Sequence, residues 1–181
     1  MGKHLLIFVG YFGVIVLVRV LLRGVGSLSL STVWFLVGGL LGMALPMADR
    51  LVYVYYSRPQ EQLSMQVKDL IKRGMLVQAL AVMIARREEQ VRLSMNNVLF
   101  LAVWVALSIF VITSTGKPLA IGMVLGVGLD LVFDLWKDRK RPEYLMGRLF
   151  WPLRRNIVWS ETVLTARVFG AAFALVSLLA V

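Results

Sequence analysis

Three aspartates, Asp130, Asp134 and Asp138, stand at four-residue intervals and continue a line begun by Gly122 and Gly126. On an α-helix a four-residue step keeps side chains along one slowly drifting face. In a functional reading Asp130, Asp134 and Asp49 ligate a cation or carry a proton in a bundle interior, and burial raises a carboxyl pKa towards a useful range. A second line has the same interval: Gly38, Gly42, Pro46 and Arg50, with Asp49 beside its last member. Glycines so spaced let two helices approach closely, and Arg50 is then placed to neutralise Asp134. An isolated charge among lipid tails costs roughly 2.5–3.5 kcal/mol on insertion scales, so pairing is the expected state. Asp49, Arg50, Asp130 and Asp134 form the candidate intramembrane polar site. Gly38, Gly42, Gly122 and Gly126 form the candidate packing surface. Spacing assigns no partner to Asp49 or Asp130. In the transport reading Pro46 supplies a break that frees backbone carbonyls for the same site.

Both lines lie in segments suited to lipid. Of 181 residues, 59% are hydrophobic and 17% charged, so water cannot be the solvent for most of the surface. The expected fold is an all-α, polytopic helical membrane protein forming a single membrane domain over residues 1–181. Five spans are predicted, at Leu5–Leu22, Thr32–Tyr56, Val98–Thr113, Pro118–Trp136 and Thr162–Val181. The first is read as a retained span, because no small-residue cleavage pattern follows it. The loops Gly24–Ser31 and Ser114–Lys117 are too short for a folded receptor domain.

Most of the 20 basic residues fall in two segments, 57–96 and 137–160. With five spans these share one side, which the positive-inside rule makes cytoplasmic. The expectation is a bacterial-type plasma (inner) membrane, with the N-terminus inside and Val181 outside. Tyr53, Tyr55, Tyr56, Trp136, Trp151 and Trp159 sit where spans meet the inner interface, and Trp34 near the opposite one. Leu63, Val67, Leu70 and Ile71 recur at helical spacing, which predicts an amphipathic surface helix; Met75–Ala85 predicts a buried or half-inserted helix. Pro152 redirects the second basic segment.

The basic residues Lys72, Arg73, Arg139, Lys140, Arg141, Arg154 and Arg155 are candidate headgroup contacts. The bland account of them is topology alone; the sharper one is anionic lipid. A net charge of +10 could suit nucleic acid, but basic residues that bracket apolar segments point to the bilayer instead.

VGGLLGMAL from Val37 pairs with IGMVLGVGL from Ile121, Arg58-Pro59 with Arg141-Pro142, and VMIAR from Val82 with VLTAR from Val163. A parallel tandem repeat with units 1–92 and 93–181 follows from this alignment.

Enzyme chemistry finds no complete constellation. The Gly126–Asp134 pattern GxxxDxxxD resembles the end of the signature of CDP-alcohol phosphotransferases, which implies aspartates holding divalent metal. The preceding stretch VITSTGKPLAIGMVLG carries no carboxylate, so a two-metal site would be short of oxygen donors. There is no cysteine, and the one histidine, His4, cannot build a cluster. No cofactor is expected. The leading expectation is a non-catalytic membrane subunit, scaffold or assembly factor, working through helix packing, self-association or other membrane subunits, and a basic cytoplasmic surface. The alternative is a small oligomeric cation or proton-coupled channel or transporter that uses the aspartates.

Overall fold

Apolar runs rich in Leu, Val and Ala, with glycine and proline confined to a few interior positions, become helices here. The computed structural model describes residues 2–24, 29–114, 116–153 and 157–180. In chain order they form α1 (Gly2–Arg23), α2 (Leu30–Val52), α3 (Gln62–Lys72), α4 (Leu76–Ala85), α5 (Val98–Ser114), α6 (Pro118–Asp138), α7 (Pro142–Phe150) and α8 (Trp159–Leu179). No strand occurs among the described residues. Residues 25–28 of one predicted loop, Arg154, Arg155 and the terminal residue of the fifth predicted span lie outside them.

Three stretches are long and apolar enough to cross a membrane: Leu30–Ser57, Pro118–Asp138 and Trp159–Leu179. The other two predicted spans correspond to the apolar stretches Leu6–Leu22 within α1 and Val98–Ser114. Seventeen residues, the length of α5, rise about 26 Å, slightly less than a hydrocarbon core of about 30 Å. Pro46 does not break α2, which runs through it and ends in one wider turn over Tyr53–Ser57.

The central helix is α6, packed against α1, α2, α5, α7 and α8. Its closest neighbour is α2, and the closeness comes from glycine. A Cβ on Gly38 would lie 2.1 Å from the Leu119 carbonyl oxygen, and one on Gly42 2.1 Å from that of Met123. From the other side, a Cβ on Gly122 would lie 2.0 Å from the Phe35 oxygen, and one on Gly126 2.1 Å from that of Gly39. The contact is therefore backbone against backbone, and its rising register makes the two helices parallel.

Aromatic residues fill the remaining angles. Trp104 of α5 donates its Nε1–H to the Val124 oxygen at 3.0 Å and stacks edge-on against Phe169 of α8. Gly128 makes that position available, since a Cβ there would meet Trp104 at 2.2 Å. Phe12 of α1 sits over Gly39 in the same way. Tyr11 and Ser177 share a 2.6 Å hydrogen bond, and Arg19 donates to the Ala180 oxygen at the C-terminal end of α8. Arg19 is thus turned onto a helix end whose partial charge is negative.

The α3–α4 hairpin makes a smaller second core. Val54, Leu63, Val67, Ala79 and Met83 pack together below the end of α2. Gly74, at φ +75°, reverses the chain after α3, with Met75 N–H bonded to the Leu70 oxygen and Gly74 N–H to that of Ile71. These are the two bonds of a Schellman cap, whose left-handed residue favours glycine.

Candidate functional site

The buried charged residues among those described converge at the C-terminal ends of α2 and α6. Asp134 and Asp138 are buried, and so are two arginines from other parts of the chain, Arg87 and Arg148. Arg87 lies in the single 3₁₀ turn Arg87–Glu89 after α4. Arg148 lies on the inward face of α7, beside the buried Leu145 and Leu149. Arg148 reaches Asp134 at 3.3 Å and Asp138 at 2.8 Å. Arg87 reaches Asp134 at 3.4 Å through Nη1 and bonds Asp138 closely through Nη2. Two cations and two anions thus alternate in a closed ring. Tyr144 donates its hydroxyl to the Arg87 carbonyl at 3.1 Å, and its ring lies beneath the Arg148 guanidinium.

Burial pulls the Arg87 pKa down, but the charges of Asp134 and Asp138 more than offset it and hold the value above the ordinary arginine range. The guanidinium therefore stays charged. Each ion faces opposite charge on two sides, which offsets part of the cost of burial, while Asp138 Oδ2 and Arg148 Nε have no hydrogen-bond partner among the described residues.

Arg50 is not in this ring. At about 100° per residue a four-residue step overshoots one turn by about 40°, so Asp134 has rotated about 80° from the Gly126 direction. Arg50 has rotated by the same amount, in the same sense, from Gly42. Because α2 and α6 face each other through reciprocal glycine contacts, equal rotation carries the two side chains to opposite sides of the pair. Asp134 is delivered to α7 and the 3₁₀ turn, not to Arg50.

Asp49, seven residues beyond Gly42, stays near the contact direction. Its carboxylate is buried and accepts the Met95 N–H at 2.8 Å. Asp130 is half-buried one turn before Asp134. The segment between α4 and α5 is thereby tied at several points. Arg87 joins it to α6, Met95 joins it to Asp49, and the Leu93 carbonyl accepts the Trp151 Nε1–H at 3.1 Å. Gln90 is wholly buried in the same segment, and its amide atoms have no hydrogen-bond partner among the described residues.

No protein-family model, curated protein or solved structure matches this chain. No group of three or more metal-ligating side chains occurs among the described residues.

The proposed headgroup contacts take different surroundings. Lys72 is exposed, and Arg73 pairs with Asp69 at 2.8 Å on the α3 surface. Arg141 is paired with Glu88, which ties the start of α7 to the 3₁₀ turn. Arg139 lies over the Trp136 ring, its guanidinium carbon 5.1 Å from the centroid, and Lys140 beside it is exposed. Residue spacing does not mark Arg87 or Arg148. The available signal was the charge run ARREEQ directly after an apolar helix, and an arginine on the apolar side of MGRLF.

Proposed function

We propose that this chain is a five-span protein of a bacterial-type plasma membrane, acting without catalysis as a subunit, scaffold or assembly factor. The observation that carries the reading is the ring of Arg87, Asp134, Arg148 and Asp138. One of the candidate ion-path carboxylates, Asp134, is engaged together with Asp138 by buried arginines, and the effect is to join the segments 57–96 and 137–160 to α6. Large apolar side chains facing outward on α1, α5 and α8, such as Leu17, Val103, Phe110 and Leu175, support contact with lipid or with a neighbouring subunit. On this reading α1 and α5 are spans too, the N-terminus is cytoplasmic and the C-terminus outside. The α3–α4 hairpin lies at the inner surface, with Leu76 and Val77 of α4 turned to lipid.

The element order supports a parallel tandem repeat. Two long helices, one short amphipathic helix and one apolar helix occur in the first half and again in the second. The reciprocal contacts of Gly38 and Gly122 are those expected across a two-fold axis along the membrane normal.

The test is the mass of the protein extracted in mild detergent. A scaffold or subunit is expected to run as a defined assembly larger than its own 20.3 kDa, with itself or with a stoichiometric membrane partner. A lone monomer under conditions that preserve other complexes would contradict the reading. Proteoliposomes separate it from the transport alternative: no proton or cation flux is expected, and flux abolished by Asp130→Asn would favour transport.

A further inference from the structure

A groove of about 570 Å³ opens between α6 and α8, within the size range of small-molecule sites. Its walls are Val132 and Leu135 from α6 and Val163 and Ala166 from α8. At the C-terminal end of α6 the lining becomes cationic, with Arg139 and Lys140, and Arg167 joins them from α8. None of these three cations has a carboxylate within ion-pair distance among the described residues. Trp136 and Trp159 also line it, and both are partly exposed. Thr162 lines the groove as well; it is wholly buried, and its hydroxyl has no hydrogen-bond partner among the described residues.

We infer that this groove binds one anionic phospholipid, with its phosphate held by Arg139, Lys140 and Arg167 and an acyl chain laid along the α6–α8 walls. The inference rests on the reading of α6 and α8 as membrane spans and gives their basic inner surface a specific ligand. Charge complementarity selects an anion. Apolar walls on both helices require that the anion carry a tail, which free phosphate lacks. Their place within two spans puts that tail in the bilayer, out of reach of an acidic peptide. The two indoles occupy the headgroup level where tryptophan is favoured. Arg167 lies two turns into α8, and the tilt of helical side chains towards the N-terminus aims it back to the groove mouth.

Native mass spectrometry of the delipidated full chain, offered equimolar phosphatidylglycerol and phosphatidylcholine in detergent, tests the site. The wild type is expected to retain one phosphatidylglycerol in preference. Arg167→Gln is expected to lower that retention about fivefold, the effect of about 1 kcal/mol per cation near a headgroup. Ala166→Trp, which fills the groove at unchanged charge, is expected to lower it as well. Lys72→Gln with Arg73→Gln, on α3 away from the groove, is expected to leave it unchanged. Equal retention of the two lipids, equal loss from the α3 substitutions, or displacement by millimolar inorganic phosphate would overturn the proposal. Release of the chain from membranes by alkaline carbonate would instead show that the membrane reading itself is wrong.

Discussion

Gly38 and Gly122 occupy reciprocal positions in one helix contact: each meets a backbone carbonyl of the other's helix at a distance that leaves no room for a methyl group. Gly122 follows Gly38 by the same number of residues as Leu119, the group Gly38 meets, follows Phe35, the group Gly122 meets. Such reciprocity is the property of a two-fold interface. Here both sides belong to one chain, and the close approach of α2 to α6 sets the direction in which every later residue of α6 points.

The glycines should therefore divide sharply on substitution. Gly42→Ala and Gly126→Ala force a Cβ to within 2.1 Å of a backbone oxygen and are expected to destabilise the detergent-solubilised protein by about 1–3 kcal/mol or more. Gly170→Ala meets nothing within 4 Å; it is expected to be neutral, or stabilising by up to about 1 kcal/mol, because alanine is the better helix former. Thermal unfolding of the three variants in one detergent checks the contrast.

Asp49 ties the segment before α5 to the end of α2 by accepting hydrogen bonds from the Met95 amide and from Ser94. Asp49→Ala leaves that amide without its acceptor, at an expected cost of about 1–3 kcal/mol. Hydrogen exchange should locate the effect. Faster exchange confined to the segment around Met95 is the expected result, and unchanged protection there would remove the tie.

The proposed topology can be read directly, because the chain has no native cysteine to replace. Lys117→Cys is expected to react with a membrane-impermeant maleimide in intact cells. Arg73→Cys and Glu143→Cys are expected to react only after permeabilisation. The reverse pattern would invert the protein, and all three reacting alike would argue against spans between these sites.

How far the sequence foretold this arrangement depended on how local each signal was. Helices follow from apolar composition within single segments, and small-residue spacing marks Gly38, Gly42, Gly122 and Gly126 without reference to anything else. The partners of Asp134 are a different matter. Arg87 and Arg148 are brought to it by two reversals of chain, at Gly74 and at the start of α7, and nothing near Asp134 in sequence records either. Arg50 shares a depth and an interval with Asp134, and spacing alone pairs the two. The accumulated rotation of about 40° per four residues, small at the glycines, is what separates them two steps later. Span number turns on α5, whose seventeen residues fall just short of the usual length.

The central claim is that Asp134 and Asp138 act as a structural clamp on the two basic segments. A double-mutant cycle between Arg148 and Asp138, which stand 2.8 Å apart and are both buried, tests it most directly. Arg148→Met alone and Asp138→Leu alone each leave uncompensated buried charge and are expected to cost about 3–5 kcal/mol. The double variant, measured by unfolding in the same detergent, is expected to cost less than their sum by about 1–3 kcal/mol. Single variants as stable as the wild type, or strictly additive losses, would contradict the clamp.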